Sequence, residues 1–308
     1  MGKTIPASWC EQLTLPVISA PMFLVSGTEL VKQCCLNGVI GSFPAPNARP
    51  IEVLDQWMEW LNSELAEAKI KDPDRKIAPW AMNIVVHSSY RRLQQEFDLI
   101  RKHQPSLVIT SLGSPKAVVD IVHSYGGLVF SDVSNVKFAK KAADAGVDGL
   151  ILVASGAGGH AGNINSLAFV DLVRDFWDGI IVLAGGISTG SGILAAQAVG
   201  ADLAYMGTRF IAAEESLASD EYQKMLVHST IEDIILTDAF SGVNANMLIP
   251  SIVKAGLDPK RLDKKKEIDF NHMHKGTTEN NVKAWRDIWS AGHGVGTIET
   301  VEPGKGNH

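Results

Sequence analysis

One unit recurs along the chain and limits what the chain can become: an amphipathic helical stretch, a glycine, then a short apolar strand. It is seen in ELVKQCCLNGVIGSF (29 to 43), AVVDIVHSYGGLVFSDV (117 to 133), FAKKAADAGVDGLILVA (138 to 154) and ILAAQAVGADLAYMG (193 to 207). In each copy the helical period of apolar residues stops at a glycine, a natural helix C-cap. The apolar run after the glycine is too short and too uniform to be a second helix. These are α-then-β units, and strands joined through helices lie parallel to one another.

Four more runs read as strands: LPVISAPM (15 to 22), PWAMNIVV (79 to 86), SLVITSLG (106 to 113) and GIIVLAGG (179 to 186). Eight candidates then start near 15, 39, 79, 106, 127, 149, 179 and 202. Helical stretches such as PIEVLDQWMEWLNSELAEA (50 to 68) and RRLQQEFDLIRKH (91 to 103) fill the gaps. The predicted class is α/β, and eight units within about 210 residues suit a closed (β/α)8 TIM barrel over residues 1–212 better than a doubly wound open sheet. Beyond 212 the pattern breaks. The chain continues through a helix-like DEYQKMLVHS (220 to 229), the charged PKRLDKKKEID (259 to 269) and the tryptophan-containing ENNVKAWRDIWS (279 to 290). They predict a smaller, mostly helical region capping the barrel mouth over 213–278, and a C-terminal helix at about 279–298 that completes the barrel. The run at 259–269 is expected over the mouth as cap or partner contact, with a solvated appendage as the alternative.

An apolar content of 45% in 308 residues is ample for a buried core. A formal charge of −6, with no basic stripe interleaved with aromatics, argues against a nucleic-acid partner. Cys10, Cys34 and Cys35 form neither a metal-ligand spacing nor a disulfide framework, so they read as reduced thiols of a cytoplasmic protein and no metal is expected. The opening MGKTIPASWC has no basic region leading into an apolar core, and no apolar run reaches the roughly 18 residues that span a bilayer. No membrane association is expected.

Two segments at the ends of the last two strands predict a phosphate site: VLAGGISTGSG (182 to 192) and LAYMGTRF (203 to 210). Gly185 and Gly186 can bring backbone N–H groups close to an anion, and Ser188 to Ser191 open a helix whose positive end adds to the attraction. Gly207 and Thr208 close the other side, where parallel barrels bind phosphate. Neither segment is a Walker or Rossmann sequence. A single glycine pair would signify no more than a tight turn; two small-residue segments on consecutive strands say more. SGAGGHAG (155 to 162) ends the sixth strand on the same face. Its glycines, Gly158 and Gly159 among them, would let a planar ring lie against the backbone beside Ser155, with His160 as general base or hydrogen-bond donor. The other reading of His160 is a structural histidine in a glycine loop. The first strand ends in SAPM (19 to 22), where Pro21 stiffens the turn and Met22 offers soft apolar surface. Asn83 lies in the apolar AMNIVV, a buried amide that needs partners, either ring heteroatoms or a packing hydrogen bond.

These pieces, in order from residue 16 to 298 and ending in AWRDIWSAGHGVGTI, resemble the nitronate monooxygenase (2-nitropropane dioxygenase-like) family of FMN-dependent TIM-barrel oxidoreductases. The resemblance implies an FMN held without a covalent bond, a small-molecule nitronate or nitroalkane substrate, and O2 as oxidant, with a carbonyl compound and nitrite as products. It also leaves room for NAD(P)H and for a homodimer. Carried over by residue, Ala20, Pro21 and Met22 would meet the isoalloxazine ring and Asn83 its polar edge. Gly185, Gly186, Gly207 and Thr208 would hold the phosphate, and His160 would take the substrate proton. The sequence departs from the family at Asp132, where many relatives carry a lysine near the cofactor. It departs again at Ser155, Gly156 and Ala157, where many relatives have an acidic residue, and at His293, in place of a glutamine near the substrate. Similar relatives are NAD(P)H-dependent quinone and enoyl-acyl-carrier-protein reductases, and a non-catalytic barrel binding a flavin or phosphorylated ligand is the remaining alternative.

Overall fold

The computed structural model describes residues 4–264 and 284–303. Eleven strands are present among them: β1 (Val17–Ser19), β2 (Gly41–Pro44), β3 (Trp80–Val85), β4 (Leu107–Ser111), β5 (Leu128–Val133), β6 (Gly149–Val153), β7 (Gly159–His160), β8 (Ile180–Ala184), β9 (Leu203–Met206), β10 (Ile234–Thr237) and β11 (Ala245–Leu248). The helices are α1 (Ala7–Gln12), α2 (Thr28–Leu36), α3 (Ile51–Lys71), α4 (Leu93–His103), α5 (Lys116–His123), α6 (Val136–Asp144), α7 (Ser166–Arg174), α8 (Gly190–Ala198), α9 (Thr208–Ile211), α10 (Asp220–His228) and α11 (Ile249–Lys254). No described helix is long and apolar enough to cross a membrane.

Eight strands form one parallel sheet in the order β1-β9-β8-β6-β5-β4-β3-β2. It closes on itself where Ile18 bridges Ile40, through Ser19 N–H to the Ile40 carbonyl at 2.8 Å and Ile40 N–H to the Val17 carbonyl at 3.1 Å. The architecture is the predicted (β/α)8 TIM barrel, and all eight expected strands are found. The glycines that ended the four repeated units, Gly38, Gly126, Gly146 and Gly200, all take positive φ (72°, 83°, 90° and 102°). A side chain there would force the left-handed conformation on an L-residue, so these positions fix where each helix stops.

The barrel has two apolar layers. Between sheet and helices lie Met82, Val108, Val129, Leu150, Ile181 and Ala204 with the buried helix faces, such as Leu54, Met58, Leu61 and Leu65 of α3. Inside lie Ala81, Ile109, Phe130, Ile151, Val182 and Leu203. Because successive side chains in a strand point to opposite faces, the residues two beyond Ala81, Ile109, Phe130 and Leu203 are also interior. They are Asn83, Ser111, Asp132 and Tyr205. The topmost interior layer at the C-terminal ends of four strands is therefore polar.

The region after the barrel holds helices α10 and α11 and also a three-stranded antiparallel ribbon, β10-β11-β7, unforeseen in the sequence. Its third strand belongs to the histidine loop: Ala245 pairs with His160 and Asn246 with Gly159. The expected helix over 279–290 needs correction. Residues 284–290 make a tight turn, with an Ala284–Ile288 bridge and Trp285 N–H to the Ile288 carbonyl at 2.8 Å. Trp285 takes φ 60° and turns toward His160, whereas Trp289 stacks on Tyr222 at 5.0 Å. Two tryptophans four apart imitate a helical face, yet here they serve opposite walls. A short 3-10 helix, His293–Thr297, comes next. Residues 279–283 lie outside the described residues, as does the 265–269 part of the charged run. Its described part, residues 259–264, takes no part in the cavity wall.

Candidate active site

A cavity of about 1190 Å³ opens at the C-terminal end of the barrel. Its wall brings together Ala20, Pro21, Met22, Asn83, Asp132, Gly158, Gly159, His160, Gly185, Gly186, Gly207 and Thr208. Segments as distant as residues 20 and 208 meet there because every strand of a parallel barrel delivers its last residue to one face. Two expected residues are not part of the wall, Ser155 and His293. Ser155 N–H is bonded to the Ile164 carbonyl (2.9 Å) and its own carbonyl accepts from Asn246 (2.8 Å). His293 is largely exposed; its backbone N–H donates to the Gly156 carbonyl at 2.9 Å, and its ring lies outside the wall behind Gly156, where Nδ1 would be 3.3 Å from a Gly156 Cβ.

Packing by itself requires glycine at one crossing of the 155–162 loop. A Cβ on Gly158 would lie 2.7 Å from the Gly292 nitrogen, and one on Gly292 would lie 2.6 Å from the Gly156 carbonyl oxygen. The loop and the C-terminal segment thus pack backbone to backbone, which bars any side chain at the crossing. Asn246 of β11, 1% exposed, holds the loop from the cap side. Its amide donates to the Ser155 carbonyl at 2.8 Å and the Ala157 carbonyl at 2.7 Å.

His160 is set by this frame. Its Nε2 lies 3.1 Å from Ser241 Oγ, and its ring meets Trp285 edge-on at 5.2 Å. Ser241 gives its one hydroxyl proton to the Val243 carbonyl at 2.9 Å, so toward His160 it can only accept. With the Ser241 proton on the Val243 carbonyl, Nε2 carries the hydrogen and Nδ1 keeps the basic lone pair. Burial lowers the imidazole pKa from 6.5 to about 4, leaving a neutral ring at ordinary pH.

The cavity floor is a chain of polar groups on neighbouring strands. Asn83 donates to Ser111 Oγ at 2.7 Å and to the Ile109 carbonyl at 3.2 Å, and Ser111 donates to Asp132 Oδ2 at 2.6 Å. Asp132 Oδ1 and the Tyr205 hydroxyl, also on the floor, are buried without a hydrogen-bond partner. Burial raises the Asp132 pKa to about 7, against the lowering effect of the Ser111 bond. Burial and then the Asp132 charge push the Tyr205 phenol far up. Neither Ser111 nor Tyr205 is among the residues expected from the sequence. Strand alternation is the signal that marks both, since each lies two positions beyond an interior apolar residue.

At the expected phosphate cradle, Gly185 and Gly186 take φ 124° and 73°, and only the His293 Cβ, at 3.9 Å, approaches where a Gly186 Cβ would stand. The Gly186 N–H, however, donates to the Gly156 carbonyl at 3.1 Å, so it shapes the loop and is not free to face an anion. Thr208 Oγ1 accepts from Gly292 N–H at 2.9 Å, which leaves its own proton to donate. Among the described residues no cluster of three or more His, Cys, Asp or Glu is arranged to hold a metal.

Barrel, glycine-walled cavity and half-buried neutral histidine define the candidate active site of a TIM-barrel enzyme. A sequence model described as "Nitronate monooxygenase" matches residues 12–284, and the chain belongs to that family. The nitronate monooxygenase of Paraburkholderia phytofirmans is 27% identical over 286 residues, 80% of this chain and 76% of that protein. A Rhodococcus jostii protein, (3aS,4S,5R,7aS)-5-hydroxy-7a-methyl-1-oxo-octahydro-1H-indene-4-carboxyl-CoA dehydrogenase, is 26% identical over 240 residues, 78% of this chain and 64% of that one. Among solved structures, nitroalkane oxidase from Streptomyces ansochromogenes shares the fold with a TM-score of 0.79 at 22% identity, over 97% of this chain and 94% of that chain. FabK from Thermotoga maritima does so with a TM-score of 0.77 at 22% identity, over 98% and 93%.

Proposed function

We propose that the chain oxidises alkyl nitronates and nitroalkanes with FMN and O2, releasing a carbonyl compound and nitrite. The observation that carries this reading is His160: a half-buried, neutral imidazole on the cavity wall, held by Ser241 at 3.1 Å. Family membership and the 27% identical nitronate monooxygenase support it.

The residues present fit a flavin. A polar floor with two unpartnered groups, Asp132 Oδ1 and Tyr205 OH, suits the heteroatom edge of a ring. Walls of Ala20, Pro21, Met22 and Gly207 suit its faces, and Gly185, Gly186 and Thr208 leave space and a hydroxyl proton for the phosphate. When bound, FMN supplies the electron-transfer and oxygen chemistry. His160 does the rest from the protein side. Its Nδ1 accepts the proton from the carbon beside a nitro group, and Ser241 and Trp285 keep the ring from rotating away. A nitronate arrives already deprotonated and needs from the chain only binding and exclusion of water.

The volume of the cavity favours a second reading. About 1190 Å³ exceeds the range of roughly 300–1,000 Å³ usual for one small molecule; FMN would take part of it, and the remainder leaves room for a second molecule beside the ring, as an NAD(P)H-dependent flavin reductase requires. The dehydrogenase activity named for the CoA-linked Rhodococcus jostii relative runs parallel to it. Anaerobic visible spectra of the flavin-loaded protein separate the two. Bleaching by a nitronate, with nitrite formed once air is admitted, is expected; bleaching by NADPH alone would transfer the chain to the reductase reading.

A further inference from the structure

Asp132 is the one carboxyl group on the cavity floor among the described residues, and the hydrogen-bond chain behind it dictates what it can do. The Asn83 amide nitrogen can only donate, so Ser111 Oγ accepts from it at 2.7 Å. The single Ser111 proton is then committed to Asp132 Oδ2 at 2.6 Å. Oδ2 is thus an acceptor, and a proton on this carboxyl belongs on Oδ1, the atom buried without a partner. A second unpartnered group lines the same cavity, the Tyr205 hydroxyl, whose ionisation a charge on Asp132 would oppose. Two buried polar atoms left unmet on the floor of a cavity, and not in packed core, point to a ligand edge that meets them.

We propose that Asp132 carries its proton on Oδ1 and, beside the Tyr205 hydroxyl, donates it to a hydrogen-bond acceptor on the polar edge of the ring held in this cavity. The proposal rests on the flavin reading for the identity of that ring. The surroundings agree with a neutral acid. Burial acts on Asp132 most strongly, and the Ser111 bond is the opposing influence; no cation among the described residues offsets it. The other titratable groups of the wall are His87, His160, Tyr205, Tyr222 and the exposed Lys116, Lys141 and Asp144. Of these, Tyr205 is held neutral and His160 carries no charge above about pH 4. A neutral carboxyl group here supplies the ring with a donor but no positive charge.

The test compares wild type, Asp132→Asn and Tyr205→Phe. FMN affinity is measured from pH 5 to 9, and the infrared carboxyl band is recorded on the ligand-free proteins. Asparagine keeps a donor of the same shape that cannot titrate. Wild type is expected to lose FMN affinity relative to Asp132→Asn as pH rises past neutrality, approaching about tenfold per pH unit. The FMN phosphate titrates equally in both and cancels in the comparison. Tyr205→Phe is expected to bind more weakly at every pH but to keep the wild-type slope. A protonated carboxyl band present in wild type at pH 6 and missing from Asp132→Asn is also expected. Parallel pH curves for wild type and Asp132→Asn, or no such band, would overturn the proposal. FMN bound by none of the three, with the band present, overturns the flavin reading and leaves the Oδ1 proton supported.

Discussion

Burial at the cavity wall acts on His160 and Asp132 in opposite directions, leaving the first a free base and the second an acid near neutrality. The two can therefore coexist uncharged in a dry site, where a bare charge would be costly. For His160 the linkage has a definite sign. Between pH 6.5 and about 4 the unfolded chain binds this proton and the folded chain does not, so this residue makes the fold lose stability as pH falls through that window. Replacing His160 with alanine is expected to cut turnover of a neutral nitroalkane by about 10²–10⁴-fold while sparing a preformed nitronate. Nitrite release from the two substrates, measured side by side, checks the split; equal losses would remove the base from the mechanism. Wild-type turnover of the nitroalkane is expected to hold down to about pH 4 and fall below it. His160 and Asn83 are legible in the sequence as singular polar residues in glycine-rich and apolar contexts, whereas Asp132, in FSDVS, is marked only by the family resemblance. Ser111 and Tyr205 have no such contrast with their neighbours, and only strand alternation marks them.

The elements that hold the site are joined by backbone more than by side chains. The 155–162 loop is a barrel loop in sequence but an edge of the cap ribbon in structure, paired through His160 and Ala245. Periodicity does not reveal this, since a two-residue strand has no period to read. Residues 284–290 mislead in the opposite sense: their tryptophan spacing reads as a helix, and the chain makes a turn. The glycines of the 155–162 loop stand out in the sequence, but what requires Gly158 is the crossing with Gly292, far away along the chain. Asn246 concentrates the dependence of loop on cap. Asn246→Ala strands two buried carbonyls and is expected to cost about 1–3 kcal/mol. Chemical denaturation measures that loss, and a fall in nitroalkane turnover greater than the fall in nitronate turnover would locate it at His160.

At the scale of the molecule, the four α-glycine-β units and the matching strand runs carry nearly all of the barrel, because local periodicity and a helix-ending residue recur in each. The cap is less legible: its ribbon depends on pairing between distant segments, which no local pattern records. The cavity predicts a strong linkage between cofactor and stability. Since FMN would bind the folded chain alone, a hundredfold excess over its Kd is expected to add about 2.7 kcal/mol. Thermal unfolding with and without FMN reads this directly, and a melting temperature indifferent to FMN would count against the cavity as its site. The strand shared between barrel loop and cap has one more consequence. Since β7 carries His160 and, among the described strands, pairs with the cap strand β11 alone, any excursion that lifts β11 from the mouth is expected to displace His160 as well. Under the proposed mechanism this pairing would act as an interlock: a site open to solvent would not be ready for proton abstraction, and admission of substrate and readiness to react would be successive states.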